Sequence, residues 1–368
     1  MSFVGNLNIF LDTDDNCVRN AAVKASSEVS VEKLFIGKTA EEVFELIPIL
    51  FSLCPDSQSA AAKLALYEAS GQDTKETLKD CVWQNYLEII NEGVRFFLLQ
   101  LAPEAFRKRH IHRIVEIRAQ VSELKKVDPR DSEKVKQEKR KLADLALPLL
   151  LADFGEDWEQ DLLNGFTDET SEDIPSIFAA LNSHRNLGWC RLPLLKKTPR
   201  VLLEDVKEKK LWMSKGHKFD IKHLTGAVAR QRKDPLISYL LAQDGNTAYT
   251  RLCARFVELI TTLMDDFPSE ISASVLKLED KCALSVIQNS RGVLFHFAKL
   301  EEKEGKTVIA DYGILTPTEL NVTDSHAFND SLKDISGQSE DELKKLVYLV
   351  VSSYDPCVQI NIEVNKNA

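Results

Sequence analysis

A cysteine at the start of an alanine-rich helix is the feature that most constrains this chain. Cys54 and Pro55 precede the apolar run Ala60 to Ala69, which ends at Ser70-Gly71. This pattern predicts a helix whose N-terminus lies beside the thiol. Unpaired N–H groups and the positive end of the helix dipole there favour the thiolate, the form that binds metals and attacks electrophiles. A single cysteine taken alone is more often an inert core thiol.

A second cysteine lies far along the chain. Tyr354-Asp355-Pro356-Cys357 follows the apolar, β-branched run Leu346 to Val351, which we predict to be a strand. The chain has seven cysteines, widely scattered, and no C-x-x-C pair. We therefore expect reduced thiols, with neither a disulfide framework nor a closed four-thiolate site.

Composition excludes several classes of protein. The chain has 368 residues, of which 44% are apolar and 28% charged, and a net charge of −10. This balance is typical of a soluble globular protein and argues against a general polyanion binder. The first residues include neither a basic segment nor a cleavable apolar one, so we expect a cytoplasmic protein. The apolar run Leu142 to Phe154 is too short and too interrupted to span a bilayer, so we expect no membrane insertion.

The segment from Arg107 to Lys141 is rich in lysine and arginine. Acidic residues and apolar residues at helical spacing are interleaved with these cations, and no aromatic residues that could stack on bases accompany them. We therefore predict a solvated helix face and no nucleic-acid partner. A docking surface for a protein is the alternative.

Periodicity predicts an α+β fold that is mainly helical. Two strands, Leu7 to Asp12 and Val18 to Lys24, are expected to form a hairpin, and Thr39-Ala-Glu-Glu42 forms a capping box before a helix over Val43 to Phe51. Further helices are predicted over Thr74 to Leu101, Arg107 to Leu124, Glu133 to Leu151 and Thr247 to Met264. Loops and short helices are expected from Gly155 to Lys218, and a strand pair over Val293 to Leu300 and Val308 to Leu315.

Six short motifs occur in order along the chain: Gly5-Asn6-Leu7, the Cys54 region, Leu224-Thr-Gly-Ala-Val-Ala-Arg230, Ser290-Arg291-Gly292-x-x-x-His296, Pro317-Thr318-x-x-Asn321 and Asp355-Pro-Cys357. Together they resemble motifs of the large subunit of nickel-iron hydrogenases over nearly the whole chain. The resemblance is strongest to the shorter hydrogenase-assembly proteins of the HupK/HoxV type. It implies a bundle of long helices with small peripheral β-sheets in one domain, residues 1–368. We divide this domain into 1–73 with the first cysteine motif, a helical region 74–265, and a mixed region 266–368 with the second cysteine motif.

Departures from the hydrogenase pattern argue against catalysis. In hydrogenases four thiolates, two from each cysteine motif, hold nickel. Here Cys54 matches the second position of the first motif and Cys357 the first position of the last, while Phe51 and Ile360 occupy the partner positions. Neither side chain can coordinate a metal, so we expect no complete nickel site. The proton-relaying glutamate is replaced by Val4, which cannot titrate, and we expect no enzymatic activity.

The resemblance implies that the remaining thiols, Cys54 and Cys357, transiently hold an iron that carries cyanide and carbon monoxide. Arg291 and Thr318 match residues that contact the cyanides, and an arginine's fixed donors suit a small anionic ligand. From the residues alone, Arg291 would be a surface ion pair and Thr318 a turn residue. The implied function is a non-catalytic scaffold that passes the iron fragment to the hydrogenase large subunit. Its implied partners are a HypC-type maturation chaperone, other maturation proteins and the large subunit.

A metal-free interaction protein that docks maturation chaperones is the alternative, and it predicts that Cys54 and Cys357 are far apart. The scaffold hypothesis predicts that the two sulfurs converge beside Arg291 and Thr318. A further metal is conceivable at Glu32, which matches a metal-binding glutamate of hydrogenases, although the usual histidine partner is replaced by Glu363.

Overall fold

The computed structural model describes residues 6–26, 31–51, 53–166, 172–209, 221–264, 272–323 and 325–366. As expected, the fold is α+β and mainly helical. The helices are α1 (Ala40–Leu50), α2 (Pro55–Ala69), α3 (Lys75–Arg95), α4 (Glu104–Leu124), α5 (Ser132–Leu150), α6 (Trp158–Asn164), α7 (Pro175–Asn182), α8 (Pro199–Glu208), α9 (Ala227–Arg230), α10 (Pro235–Gln243), α11 (Ala248–Met264), α12 (His326–Ser331) and α13 (Glu340–Ser352). The strands are β1 (Asn6–Asp14), β2 (Cys17–Ser26), β3 (Ala273–Glu279), β4 (Cys282–Asn289), β5 (Gly292–Lys303), β6 (Lys306–Leu315) and β7 (Gln359–Lys366). No helix in these ranges is long and apolar enough to cross a membrane.

The first sheet joins the two ends of the chain in the order β2-β1-β7. β1 pairs antiparallel with β2 and parallel with β7, so that Leu7 lies opposite Ile360. Alternate residues of β1, including Leu7 and Ile9, are fully buried against the helices. Because β7 begins two residues after Cys357, this pairing fixes the second cysteine motif beside the N-terminal hairpin.

The second sheet is antiparallel, in the order β3-β4-β5-β6, and α2 packs across β4 and β5. The alanines of α2, such as Ala61 and Ala65, are fully buried, and the Ser285 hydroxyl donates to the Ala61 carbonyl at 2.7 Å. Small side chains thus allow the helix backbone to approach the sheet closely. This packing places the start of α2, which Cys54 precedes, at the turn between β4 and β5.

Helices α3 and α11 form the centre of the helical core. They approach so closely that a Cβ on Gly93 would lie 2.9 Å from Leu259 Cδ1. Aromatic rings of Phe97 and Phe256 pack edge to face, with 5.1 Å between their centroids. Both helices also carry charged residues on buried faces, and these form part of the site described below.

Most local predictions are confirmed. The hairpin and the long helices are present, and Thr39 and Glu42 cap each other's backbone N–H groups. The strand predicted over Leu346 to Val351 is wrong, because this run lies in α13. The Ser339 side chain caps that helix, and its buried residues recur at helical spacing. Strands β3, β4 and β7 were not predicted. Val4 and Gly5 lie outside the described residues, and the three-segment division of the chain stays a prediction.

Candidate functional site

The structure brings Cys54 and Cys357 together. Cys54 is 5% exposed and directly precedes α2, while Cys357 is half-buried and follows Asp355-Pro356. The two thiols lie close enough to shift each other's pKa. The interaction with Cys54, aided by the positive charge of Arg291, outweighs burial and lowers the pKa of Cys357. The same interaction, with burial, raises the pKa of Cys54. Cys357 is therefore the more acidic thiol of the pair.

Thr318 orients Cys357. Its hydroxyl oxygen accepts the backbone N–H of Cys357 at 3.2 Å, and its side chain also helps to lower the pKa of the Cys357 thiol. Thr318 lies between the end of β6 and the π-helical segment Glu319–Thr323. It is therefore more than a turn residue, since it connects the end of the second sheet to the C-terminal cysteine motif.

Arg291 is buried beside the thiols, contrary to the expectation of a surface ion pair from its residue type alone. It is 2% exposed, and its Nη2 lies 2.6 Å from Glu92 Oε2 while its Nε lies 3.1 Å from Asp355 Oδ2. Burial opposes its charge, but the negative groups around it outweigh burial and hold the pKa of Arg291 well above its usual value. The guanidinium is therefore a fixed positive charge facing the sulfurs.

A second buried arginine completes this charge cluster. Arg255 of α11 forms an ion pair with Asp355, and its guanidinium lies 3.7 Å from the centroid of the Phe96 ring. Asp355 thus bridges Arg255 and Arg291 from a left-handed backbone conformation with φ of 50°. Sequence reasoning missed both Arg255 and Glu92. In the sequence, each of these two charged residues lies on the apolar side of its helix, and this pattern could have identified them.

Three sequence motifs interlock around the Arg291 backbone. The Asn321 side chain donates to the Arg291 carbonyl at 3.2 Å and accepts the backbone N–H of Thr225 at 3.1 Å. A Cβ on Gly292 would lie 2.0 Å from Thr225 Oγ1, and one on Gly226 would lie 2.9 Å from the Arg291 carbonyl oxygen. Both glycines have positive φ, so only glycine fits this contact without strain.

A buried hydrogen-bond chain reaches Cys54 from the second sheet. Gln58 Nε2 lies 3.9 Å from Cys54 Sγ, and Gln58 Oε1 lies 2.7 Å from His296 Nε2. His296 Nδ1 lies 2.7 Å from the Tyr312 hydroxyl. Burial lowers the pKa of His296 to about 3, so the ring is neutral. A neutral ring that donates from Nε2 and accepts at Nδ1 directs the Gln58 amide group towards the sulfur.

Glu88 of α3 caps the helix that follows Cys54. It accepts the backbone N–H groups of Asp56 at 2.8 Å and of Ser57 at 3.2 Å, and the Ser57 hydroxyl at 2.5 Å. Burial raises the pKa of Glu88 to about 8 despite these bonds. Because Cys54 makes no side-chain cap of its own, this carboxyl group stabilises the helix start and leaves the thiol available.

The remaining candidate positions are Phe51, Ile360, Glu32 and Glu363. Phe51 and Ile360 are half-buried and pack into apolar clusters. Glu32 lies in the 3-10 turn Val31–Leu34, next to β6, whereas Glu363 lies on β7 opposite Phe10. Within the described ranges, no group of three or more His, Cys, Asp or Glu side chains is placed to hold a metal ion.

Comparisons with known proteins agree with the resemblance. No protein-family model matches the sequence. The chain is 22% identical over 375 residues to the hydrogenase expression/formation protein HupV of Azotobacter chroococcum, covering 98% of both chains. It is 27% identical over 124 residues to the hydrogenase expression/formation protein HoxV of Cupriavidus necator, and this match spans 31% of the chain and 32% of that relative's length.

Solved structures share the fold. The nickel-iron-selenium hydrogenase of Desulfovibrio vulgaris Hildenborough in the reduced state superposes with a TM-score of 0.63 at 12% identity, covering 94% of each chain. An NAD+-reducing nickel-iron hydrogenase in the H2-reduced state gives 0.56 at 15% identity, covering 94% of this chain and 93% of that one. The chain is thus similar to hydrogenase expression/formation proteins, in one case over nearly its whole length, and has the fold of the nickel-iron hydrogenase large subunit.

Proposed function

We propose that this chain is a non-catalytic assembly factor in hydrogenase maturation. It holds an iron that carries cyanide and carbon monoxide on Cys54 and Cys357, and then passes this fragment to the hydrogenase large subunit. The contact between the two thiols carries the proposal, since they come from opposite ends of the chain and meet beside a buried arginine. The names of the two curated relatives support a role in hydrogenase expression or formation.

The donor set suits this cargo. Cys357, whose pKa is lowered, supplies the first thiolate, and Cys54 supplies a second when the iron displaces its proton. Within the described part of the chain, Arg291 Nη1 makes one hydrogen bond, to Ser290 at 3.4 Å, so donor capacity remains for a cyanide nitrogen. Soft thiolate ligands favour such an iron, and two attachment points release it more readily than four would.

The same surroundings argue against a complete nickel site. The positions that supply the other two thiolates in hydrogenases hold Phe51 and Ile360, whose side chains pack in apolar clusters. In this proposal a HypC-type maturation chaperone and other maturation proteins deliver the iron fragment in the cytoplasm. The hydrogenase large subunit then receives it.

The test is an infrared spectrum with iron analysis on protein isolated without oxygen from a host that makes the cofactor. Wild type is compared with Cys54→Ala, Cys357→Ala and the control Cys17→Ala, which removes a half-buried thiol of β2. Cyanide and carbon monoxide bands with stoichiometric iron are expected in wild type and in the control. Their loss in both site variants supports the scaffold, whereas bands that persist in either site variant contradict it.

A metal-free interaction protein is the second candidate. It is favoured by the interaction between the two thiols and by the ion pairs that Arg291 makes within the chain, because these satisfy the site without cargo. Its expectation of distant thiols is wrong, since Cys54 and Cys357 are in contact. Absence of bands and iron in all four proteins, with chaperone binding retained, would establish this alternative.

A further inference from the structure

A cavity of about 190 Å³ lies next to the loop that supports the thiol site. Thr225 and Gly226 line this cavity and also line a smaller one that borders Arg291 and Asp355. The thiol site makes no use of the larger cavity. It is therefore a separate space, with its own lining and its own chemistry.

The lining of this cavity is strongly basic. Its cations are Lys196, Lys197, Arg230, Arg232 and Lys233, and none of its described lining residues is acidic. Two of them are neutralised, because Lys197 pairs with Asp205 and Arg230 with Glu258.

The other three cations form no ion pair with a described acidic residue. Lys196 and Lys233 are exposed, and Arg232 is half-buried with one bond from Nη1 to the Ala229 carbonyl at 2.6 Å. Three cations without an acidic partner in the described ranges surround one cavity, whereas the whole chain has a net charge of −10. Such a concentration of positive charge attracts anions.

Neutral donors complete the lining. Thr198 and Pro199, at the start of α8, border the cavity, so the positive end of that helix dipole adds to the cations. Gln288 and Ser272 provide polar side chains on the side of the second sheet. Arginine forks, ammonium groups and hydroxyl groups are the donors that proteins use for oxyanions.

The volume of the cavity limits the size of the ligand that it can bind. Pockets for drug-sized ligands have volumes of about 300–1,000 Å³. The observed volume is below this range and suits one or two phosphate groups, with any attached organic part in solvent. We infer that the chain binds a multiply charged phosphate-type oxyanion in the cavity lined by Lys196, Arg232 and Lys233. This inference does not rest on the proposed function, since it involves neither thiol.

The test is calorimetric titration of the full, metal-free chain with inorganic diphosphate, at low and at physiological salt. The site variant is Lys196→Ala/Lys233→Ala, which changes two exposed side chains and should fold normally. Its control is Lys79→Ala/Lys108→Ala, which removes the same charge from exposed lysines of α3 and α4. Arg232→Gln is a second site variant. Saturable binding is expected in wild type and in the control, with affinity at least about tenfold weaker in each site variant, because each loses a charged donor.

Parallel titrations with ATP distinguish the source of the phosphate. Tighter binding of ATP than of diphosphate identifies the phosphates of a nucleotide as the ligand, and the reverse order identifies free diphosphate. Absence of binding at low salt, or equal affinities in the site and control variants, would overturn the inference. The second result would show that diphosphate responds only to the general charge of the protein.

Discussion

Replacement of His296 should change how stability depends on pH. The ring is fully buried, and burial lowers its pKa from 6.5 to about 3. Below the ordinary pKa the unfolded chain therefore binds a proton that the folded chain does not. Stability from this group is fully present above that value and is lost as the pH falls towards 3. The sign follows from linkage, since stability rises with pH wherever the unfolded state binds more protons.

The magnitude follows from the two pKa values. When the pH is lowered from 7 to 5, His296 should reduce the free energy of unfolding of the wild type by about 2 kcal/mol. The assay is urea unfolding of wild type and His296→Gln at several pH values in this range, with the variant lacking the titrating group. Exposed His326→Gln is the matched control and should keep the wild-type pH dependence. Equal losses of stability in wild type and His296→Gln would refute the assignment of a buried, neutral ring.

Three further predictions concern the thiol site. Arg291→Met takes from the buried carboxylate of Glu92 one of its two arginine partners, leaving only Arg95 among the described residues, and should cost up to about 3–5 kcal/mol in chemical unfolding. Addition of Glu92→Gln should recover part of this loss, and strictly additive losses would contradict the pairing. Cys54→Ala removes the thiol that lowers the pKa of Cys357, so alkylation of Cys357 by iodoacetamide at pH 7, followed by mass spectrometry, should be several-fold slower than in wild type. An unchanged rate would show that Cys54 does not lower this pKa in solution. Gly292→Ala places a Cβ 2.0 Å from a hydroxyl oxygen of the neighbouring loop, at a residue whose φ is 147°. It should lower the midpoint of thermal unfolding more than the control Gly305→Ala does, because a Cβ on Gly305 meets no atom within 4 Å.

Elements whose ends carry their own signals could be predicted from the sequence. The capping box of Thr39 and Glu42 marks the start of α1, and Pro55 at the first position of α2 explains why Cys54 precedes that helix. The run Leu346 to Val351 was wrongly predicted to be a strand because it contains β-branched residues, which are common in strands. The sequence feature that indicates a helix is Ser339 followed by three acidic residues, and it lies outside that run.

The site could be predicted only in part. The resemblance placed Cys54, Cys357, Arg291 and Thr318 in one pocket, and the structure brings them together. The residues that hold Arg291 in place could not be identified, because Glu92 lies 199 positions away in the sequence and no local pattern marks such a pair. Partners of this kind depend on how α3 and the second sheet pack, which only the folded structure shows.

The pairing of β1 with β7 has a consequence for synthesis on the ribosome. The side chains of Asn8 and Asn361, 353 residues apart, are hydrogen-bonded at 3.0 Å. The N-terminal hairpin therefore waits for its third strand until more than 300 further residues have been translated. Cys54 emerges early, but Cys357 can join it only after this last step. A nascent or prematurely terminated chain that lacks Cys357 cannot form the thiol pair, so the pair itself reports that the C-terminal cysteine motif has been translated.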